Sequence, residues 1–140
     1  MALIVERVDT WAAAVKDEPG ALDEKLRGLA EAGINLEFMV ARRADEKPGT
    51  GVVFVTPIVG AAASRAARKL GFSRSKSMHT IRVEGIDRAG QAARLTGALA
   101  AEGINLRGVT AARVGRKFIA HVAVDSTRDA GRVVRTLKAL

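Results

Sequence analysis

The sequence of 140 residues has no cysteine and no tyrosine, and it has one tryptophan and four phenylalanines. Without cysteine, disulfide bonds and thiolate chemistry are excluded, and a reducing compartment suits the chain. The apolar run at the start (residues 2–5) is too short for a signal peptide, and no run approaches the length needed to span a membrane. These absences predict a cytoplasmic protein with no membrane partner.

Patterns that carry catalysis are also scarce. His79 and His121 lie on expected strands without ligand-spaced companions, so the sequence predicts no metal site. Ser73, Ser75 and Ser77 share one face of an expected strand and have no base to activate them. No glycine-rich loop has the spacing that cradles phosphates. We therefore expect neither an enzyme nor a bound cofactor.

The sequence does contain an internal repeat. Gly33-Ile34-Asn35-Leu36 returns unchanged 70 residues later as Gly103-Ile104-Asn105-Leu106. Its surroundings recur at the same offset, in the pairs Asp17 and Asp87, Gly20 and Gly90, and Arg43 and Arg113. A repeat of this length indicates a duplicated supersecondary unit.

Each copy is expected to follow the order β-α-β-β-α. In the first, extended residues 2–16 lead to a helix that Asp17 caps, with Pro19 in its first turn and Gly33 at its end. A two-residue period then predicts a strand from Ile34 to Val40. The second copy repeats this with extended residues 72–86, a helix ending at Gly103, strands at 104–113 and 117–124, and a last helix capped by Ser126 or Thr127. This order predicts an α+β fold in two layers.

The second copy lacks a closing strand of its own, because its last helix ends the sequence. Residues 72–86 are much longer than an ordinary strand of about five or six residues. The economical interpretation is that their first half closes the first copy and their second half opens the second. By the repeat, residues 2–8 would then complete the second copy, so that neither copy should fold alone.

The segment Asp17-Glu18-Pro19-Gly20-Ala21-Leu22, followed by an amphipathic helix and Ala32-Gly33-Ile34-Asn35-Leu36, resembles the ACT domain. Two such segments in succession resemble the stand-alone double-ACT proteins. The second departs from the pattern, with Ala89 in place of the proline. The resemblance implies two ferredoxin-like βαββαβ units with antiparallel sheets, paired side by side with exchanged edge strands. The units would be residues 9–78 and residues 79–140, the second closed by residues 2–8.

The resemblance also implies that a free amino acid binds at an interface between two units. In that pattern, the loop before the first helix of one unit faces the start of the second strand of its neighbour. Residues 17–22 would then face residues 104–105, and residues 87–91 would face residues 34–35. The implied ligand-binding residues are Asp17, Glu18, Pro19, Gly20, Ala21, Leu22, Ile34 and Asn35 in the first copy, and Asp87, Arg88, Ala89, Gly90, Gln91, Ile104 and Asn105 in the second.

The chemistry of these residues suits a zwitterion. A helix N-terminus attracts a carboxylate, and a glycine lets a ligand approach the backbone. Each asparagine could hold the carboxylate or the ammonium group, and each aspartate could bind the ammonium group. Structural roles are equally open: the aspartate as a cap, Pro-Gly as a turn, and the asparagine at an edge or the start of a strand. Because Arg88 replaces Glu18, the two sites should differ in ligand or affinity.

Charge divides the chain unevenly. Residues 1–70 are neutral, and residues 71–140 account for the whole net charge of +8. This suits a nucleic-acid partner or an ordinary basic surface, but RNA-binding sheets of this shape stack bases on aromatic residues, which are few here. The resemblance therefore leads us to expect a sensor that forms a homo-oligomer and regulates an enzyme or a transcription factor. The alternatives are an assembly module for a partner enzyme and, less favoured, an RNA-binding protein.

Overall fold

The computed structural model describes residues 2–140 and gives them eight strands and four helices. In chain order they are β1 (Ile4–Val8), β2 (Trp11–Lys16), α1 (Ala21–Glu31), β3 (Phe38–Arg43), β4 (Thr50–Thr56), α2 (Ala61–Lys69), β5 (Ser73–Arg74), β6 (His79–Ile86), α3 (Gln91–Ala101), β7 (Gly108–Val114), β8 (Lys117–Val124) and α4 (Thr127–Lys138). Among these residues no helix is both long and apolar enough to cross a membrane.

The chain divides into two compact units. The N-terminal unit is Asp9–Ser75, and the C-terminal unit is Lys76–Leu140 together with the segment that ends at Val8. Each has a four-stranded antiparallel sheet, in the order β3-β4-β2-β5 in the N-terminal unit and β1-β6-β8-β7 in the C-terminal unit. The two orders are the same when the strands of the N-terminal unit are numbered β2, β3, β4, β5 and those of the C-terminal unit β6, β7, β8, β1. The expected α+β class, with two ferredoxin-like units, is confirmed.

The fourth strand of each sheet comes from the segment of the chain that leads into the other unit. Strand β1 pairs with β6 of the C-terminal unit, from Ile4 opposite Glu84 to Val8 opposite Thr80. Strand β5 pairs with β2 of the N-terminal unit at only two positions. Residues 2–16 and 72–86 are therefore each split between two sheets. The division between the units follows Ser75, three residues before the boundary that was expected after Met78.

Alternating strand residues supply one core to each unit. In the N-terminal unit, Trp11, Val53 and Val55 point to the helix layer and are fully buried there with Leu29 of α1 and Phe72. The corresponding core of the C-terminal unit combines strand and helix residues, namely Val5, Ile81, Val83, Leu99, Val122, Val133 and Leu137. This packing fixes the start of α1 and α3 above one end of each sheet.

The strand expected from Ile34 is wrong over its first four residues, because β3 begins at Phe38. Likewise β7 begins at Gly108 and not at Ile104. The Glu37 amide donates to the Thr56 carbonyl at the last residue of β4, so earlier residues have no strand beside them to form a ladder. Within this segment, Ile34 and Leu36 pack against the core of the N-terminal unit.

The expected glycine ends and the serine cap of the helices are present, but the expected aspartate cap is not. Gly33 and Gly103 follow α1 and α3 with φ of 76° and 70°, the left-handed conformation that ends helices. Ser126 caps α4, where its Oγ accepts a hydrogen bond from the Asp129 amide at 3.0 Å. The expected Asp17 cap is wrong: the N-cap of α1 is Gly20, which places Asp17 and Pro19 before the helix.

Replacing the Ser126 cap should weaken the C-terminal unit. Ser126→Ala leaves one amide of the first turn of α4 without its partner, and we expect the free energy of unfolding to fall by about 1 kcal/mol. Urea denaturation followed by circular dichroism measures this loss. Thr127→Ala is the control, because Thr127 is the exposed first residue of the helix. Equal losses in the two variants would contradict the capping role.

Candidate functional site

Loops that precede α1 and α3 have the same backbone geometry. Gly20 and Gly90 are the N-caps, with φ of 86° and 80°, and neither helix has a side-chain cap. A Cβ at either glycine would meet nothing within 4 Å. The glycines are therefore needed for their left-handed conformation. The first amide of each helix donates to the loop, from Ala21 to the Glu18 carbonyl and from Gln91 to the Arg88 carbonyl.

An aspartate–arginine pair stands beside each loop. In the N-terminal unit, Arg43 Nε at the end of β3 lies 2.9 Å from Asp17 Oδ2. In the C-terminal unit, Arg113 Nη1 on β7 lies 3.8 Å from Asp87 Oδ2. The backbone holds both aspartates, since the Asp17 amide donates to Gly49 and the Asp87 amide to Arg116. The two copies therefore share a charge pair as well as a fold.

The charges around the two helix starts differ. The first turn of α1 contains Asp23 and Glu24, whereas the first turn of α3 contains no acidic residue. Asp23 accepts a hydrogen bond from Arg27 at 2.9 Å, and this contact raises the pKa of Arg27. Near the start of α3, the loop residue is Arg88 in place of Glu18. The start of α3 is thus the better place for an anionic group.

Gln91 connects the loop before α3 to its surroundings. Its side chain is only 4% exposed, and its Nε2 donates to the Ile86 carbonyl at 3.4 Å. Its Oε1 accepts hydrogen bonds from Arg88 Nε and Arg94 Nη1, each at 3.4 Å. Arg94 in turn reaches the Leu140 carbonyl at 3.0 Å. These contacts give Gln91 a role in holding the loop in place.

Within either unit, the expected asparagine lies far from the expected loop. Asn35 follows the C-terminal end of α1, while residues 17–20 precede its N-terminal end, and the 11-residue helix separates them. An α-helix of this length extends about 16 Å. Asn35 and Asn105 are exposed, and each stands between neighbours that pack against the core. The expectation that each asparagine meets the loop of the other copy stays a prediction.

Sequence reasoning missed Arg43 and Arg113 as site residues. Their recurrence at the offset of Asp17 and Asp87 was visible, and the joint recurrence of opposite charges was the signal that could have paired them. The histidines lie on strands, half-buried His79 on β6 and buried His121 on β8. Over residues 2–140, no group of three or more histidine, aspartate or glutamate residues is placed to hold a metal ion.

Comparison with known families identifies the second unit. The ACT domain family model matches residues 79–140. Residues 79–140 form an ACT domain. The resemblance inferred from the repeat is confirmed by this match, and the N-terminal unit has the same strand order as the ACT domain that follows it. No curated protein sequence matches the chain significantly.

Solved structures share the fold over nearly the whole chain. A Bacteroides thetaiotaomicron protein is 17% identical with a TM-score of 0.75, and the match covers 94% of this chain and 88% of that one. The ligand-free regulatory subunit of aspartate kinase from Thermus thermophilus is 15% identical with a TM-score of 0.65, covering 98% and 95%. Escherichia coli aspartokinase III, in complex with aspartate and ADP, is 16% identical with a TM-score of 0.61, covering 99% and 32%.

Proposed function

We propose that this tandem ACT protein is a regulatory sensor that binds a free amino acid. The family match and the fold shared with regulatory subunits of aspartate kinase support a regulatory role over a catalytic one. The ligand-binding groups are proposed to lie in the loops before α1 and α3. The sensor would form a homo-oligomer, and it would regulate an enzyme or a transcription factor.

The observation that carries this proposal is the aspartate–arginine pair that recurs beside each loop. A carboxylate binds an ammonium group through charge-assisted hydrogen bonds, and a guanidinium binds a carboxylate in the same way. Asp87 and Arg113 therefore offer one partner for each charge of an amino acid, next to a helix start with no side-chain cap. The pair in the N-terminal unit is tighter, and its helix start is acidic.

Regulation requires that the ligand prefer one state of the protein. A ligand that binds two arrangements equally tightly shifts neither, so the amino acid must contact groups whose positions differ between them. The regulated partner must in turn prefer one arrangement, and the coupling between the two binding events is then reciprocal. The loop charges are suited to this, because an ion pair can exchange its partners with a ligand.

A screen of the twenty amino acids by thermal shift tests the proposal. At ten times its Kd, a ligand adds about 1.4 kcal/mol to the free energy of unfolding, which raises the Tm by several degrees. We expect Asp87→Asn and Arg113→Gln to lose most of this shift. Asp125→Asn is the matched control, because Asp125 is exposed and pairs with Arg107 elsewhere in the same unit. Failure of every amino acid to move the Tm at millimolar concentration would overturn the sensor function.

A second candidate function is an assembly module that needs no ligand. Ile4, Ile86 and Val114 are half or more exposed and share the sheet face of the C-terminal unit that is turned away from its helices. Exposed apolar side chains on one face are typical of protein contacts. This function would become the better one if no amino acid bound and substitution of these three residues by serine abolished self-association.

A further inference from the structure

Two arginine side chains meet over a glycine of α4 in the C-terminal unit. A Cβ on Gly131 would lie 3.1 Å from Arg7 Nη2 and 3.4 Å from Arg135 Nη1. Arg7 comes from β1 and Arg135 from the last turn of α4, so two separate elements bring guanidinium groups to one point. Glycine is less favourable than alanine inside a helix, and here its missing side chain lets Arg7 approach the helix closely.

Neither guanidinium group has a counterion. Within residues 2–140, no carboxylate lies within 4.0 Å of Arg7 or Arg135, and the nearby Asp129 pairs with Arg132 at 3.1 Å. Arg7 Nη2 reaches the Thr127 carbonyl at 3.5 Å, which is longer than an ordinary hydrogen bond. Because each guanidinium has five N–H donors, most donors of the two arginines are open to a ligand.

The corresponding arginine of the first copy does have an acidic partner. Arg7 lies opposite Ile81 in the register of β1 and β6, and Arg74 lies opposite Trp11 in the register of β5 and β2. Because Ile81 follows Trp11 by 70 residues, the two arginines stand at the same place in the two sheets. Arg74 Nε is 3.6 Å from Asp9 Oδ2. The C-terminal unit therefore presents this arginine without the carboxylate that accompanies it in the N-terminal unit.

We propose that Arg7 and Arg135 form a binding site for a phosphate group. Guanidinium groups donate charge-assisted, paired hydrogen bonds to phosphate oxygens. A phosphate ester carries a charge of about −1.5 to −2 at pH 7, so it matches two arginines better than a single carboxylate does. The ligand class is phosphate, either free or carried on a small organic molecule. This site does not depend on amino-acid sensing, and its failure would leave that function standing.

A phosphate bound here would connect the N-terminal strand to the helix above it. Strand β1 is at the edge of its sheet, where it pairs with β6 alone. A ligand that contacts both Arg7 and Arg135 joins β1 to α4. Because a ligand that binds only the folded form stabilises it, phosphate should raise the hydrogen-exchange protection of the β1 amides.

Gly131→Ala tests the site without changing the charge of the protein. Its methyl group would approach Arg7 Nη2 more closely than most Cβ atoms approach a neighbour, so the head of Arg7 must shift. Calorimetric titration of the full chain with inorganic phosphate and with AMP should show binding at least about threefold weaker, as expected when a charge-assisted hydrogen bond is weakened. The unliganded Tm should equal or exceed that of the wild type, because alanine favours a helix.

Gly97→Ala is the matched control, because Gly97 lies inside α3 and a Cβ there would meet nothing within 4 Å. It should bind phosphate within about twofold of the wild type. Arg7→Gln should weaken binding by about tenfold or more, since it removes a charged partner. Arg116→Gln is the control for lost charge, because Arg116 is exposed in the turn after β7, at the sheet edge opposite β1.

The outcomes distinguish a defined site from a basic surface. If Gly131→Ala binds as tightly as Gly97→Ala, or if Arg116→Gln weakens binding as much as Arg7→Gln, the inference fails. Binding of AMP without binding of inorganic phosphate would support a site for phosphate carried on an organic molecule. Binding of inorganic phosphate as tightly as AMP would support a site for the free anion. Binding of neither would overturn the proposal.

Discussion

Val5→Asp is expected to destabilise the C-terminal unit by at least about 3 kcal/mol, because it places an unpaired carboxylate in an apolar core. Val5 is 6% exposed and lies in the same core as Val83, its partner across β1 and β6. A domain of ordinary stability has only about 5–15 kcal/mol to lose. The effect should appear as lost hydrogen-exchange protection at the β6 and β8 amides.

Ile4→Asp provides the control on the same strand. Ile4 is 57% exposed and points to the other face of the sheet, so the same substitution there should cost less than about 1 kcal/mol. The comparison separates burial from any general effect of a new charge near the N-terminus. Equal effects of the two substitutions would show that β1 is not part of this sheet. Loss of protection confined to Asp9–Ser75 would show that β1 pairs within the other unit.

Much of this architecture could be inferred from the sequence because of the internal repeat. At the offset of 70 residues, residues 2–8 correspond to residues 72–78, which follow α2 in the first copy. The structure assigns β1 to β6 accordingly. Helix ends at Gly33 and Gly103 could also be predicted, because a glycine directly after an apolar helical stripe readily adopts the left-handed conformation that ends a helix.

The errors occurred where a local pattern permits two outcomes. Residues 34–37 alternate as a strand does, but a ladder also needs a neighbour, and β4 ends opposite Phe38. Asp17 could cap a helix or pair with a basic side chain. It lies three residues before the N-cap, and its carboxylate accepts a hydrogen bond from Arg43 instead. Periodicity describes which way side chains point, and it does not describe what lies beside them.

A small apolar gap in the C-terminal unit, between α3 and strands β7 and β8, could not be predicted, because it depends on side chains that are distant in the sequence. Ala92 on α3 and Ala120 on β8 are each ordinary residues for a helix or a buried strand. Their small size matters only because both face the same space in the folded unit.

Trp11→Ala is expected to cost the N-terminal unit about 3–5 kcal/mol of unfolding free energy, the range found when a large buried aromatic side chain is removed. Trp11 is fully buried and lies opposite Val55 of β4 and Arg74 of β5. The guanidinium carbons of Arg68 and Arg74 lie 5.4 and 5.6 Å from its ring centroid, which adds cation–π attraction. Truncation removes both the packing and these contacts.

Trp11→Phe should be far better tolerated, and the reason lies in the indole nitrogen. Nε1 of Trp11 is buried and has no hydrogen-bond partner within residues 2–140, so its N–H does not add to the stability of the core. Phenylalanine removes that polar group and keeps a ring for Arg68 and Arg74, which offsets part of the lost volume. Urea denaturation with hydrogen exchange at β2 and β4 measures both variants. Similar losses in the two variants would show that a phenylalanine ring cannot replace the indole in this core, and would contradict the prediction.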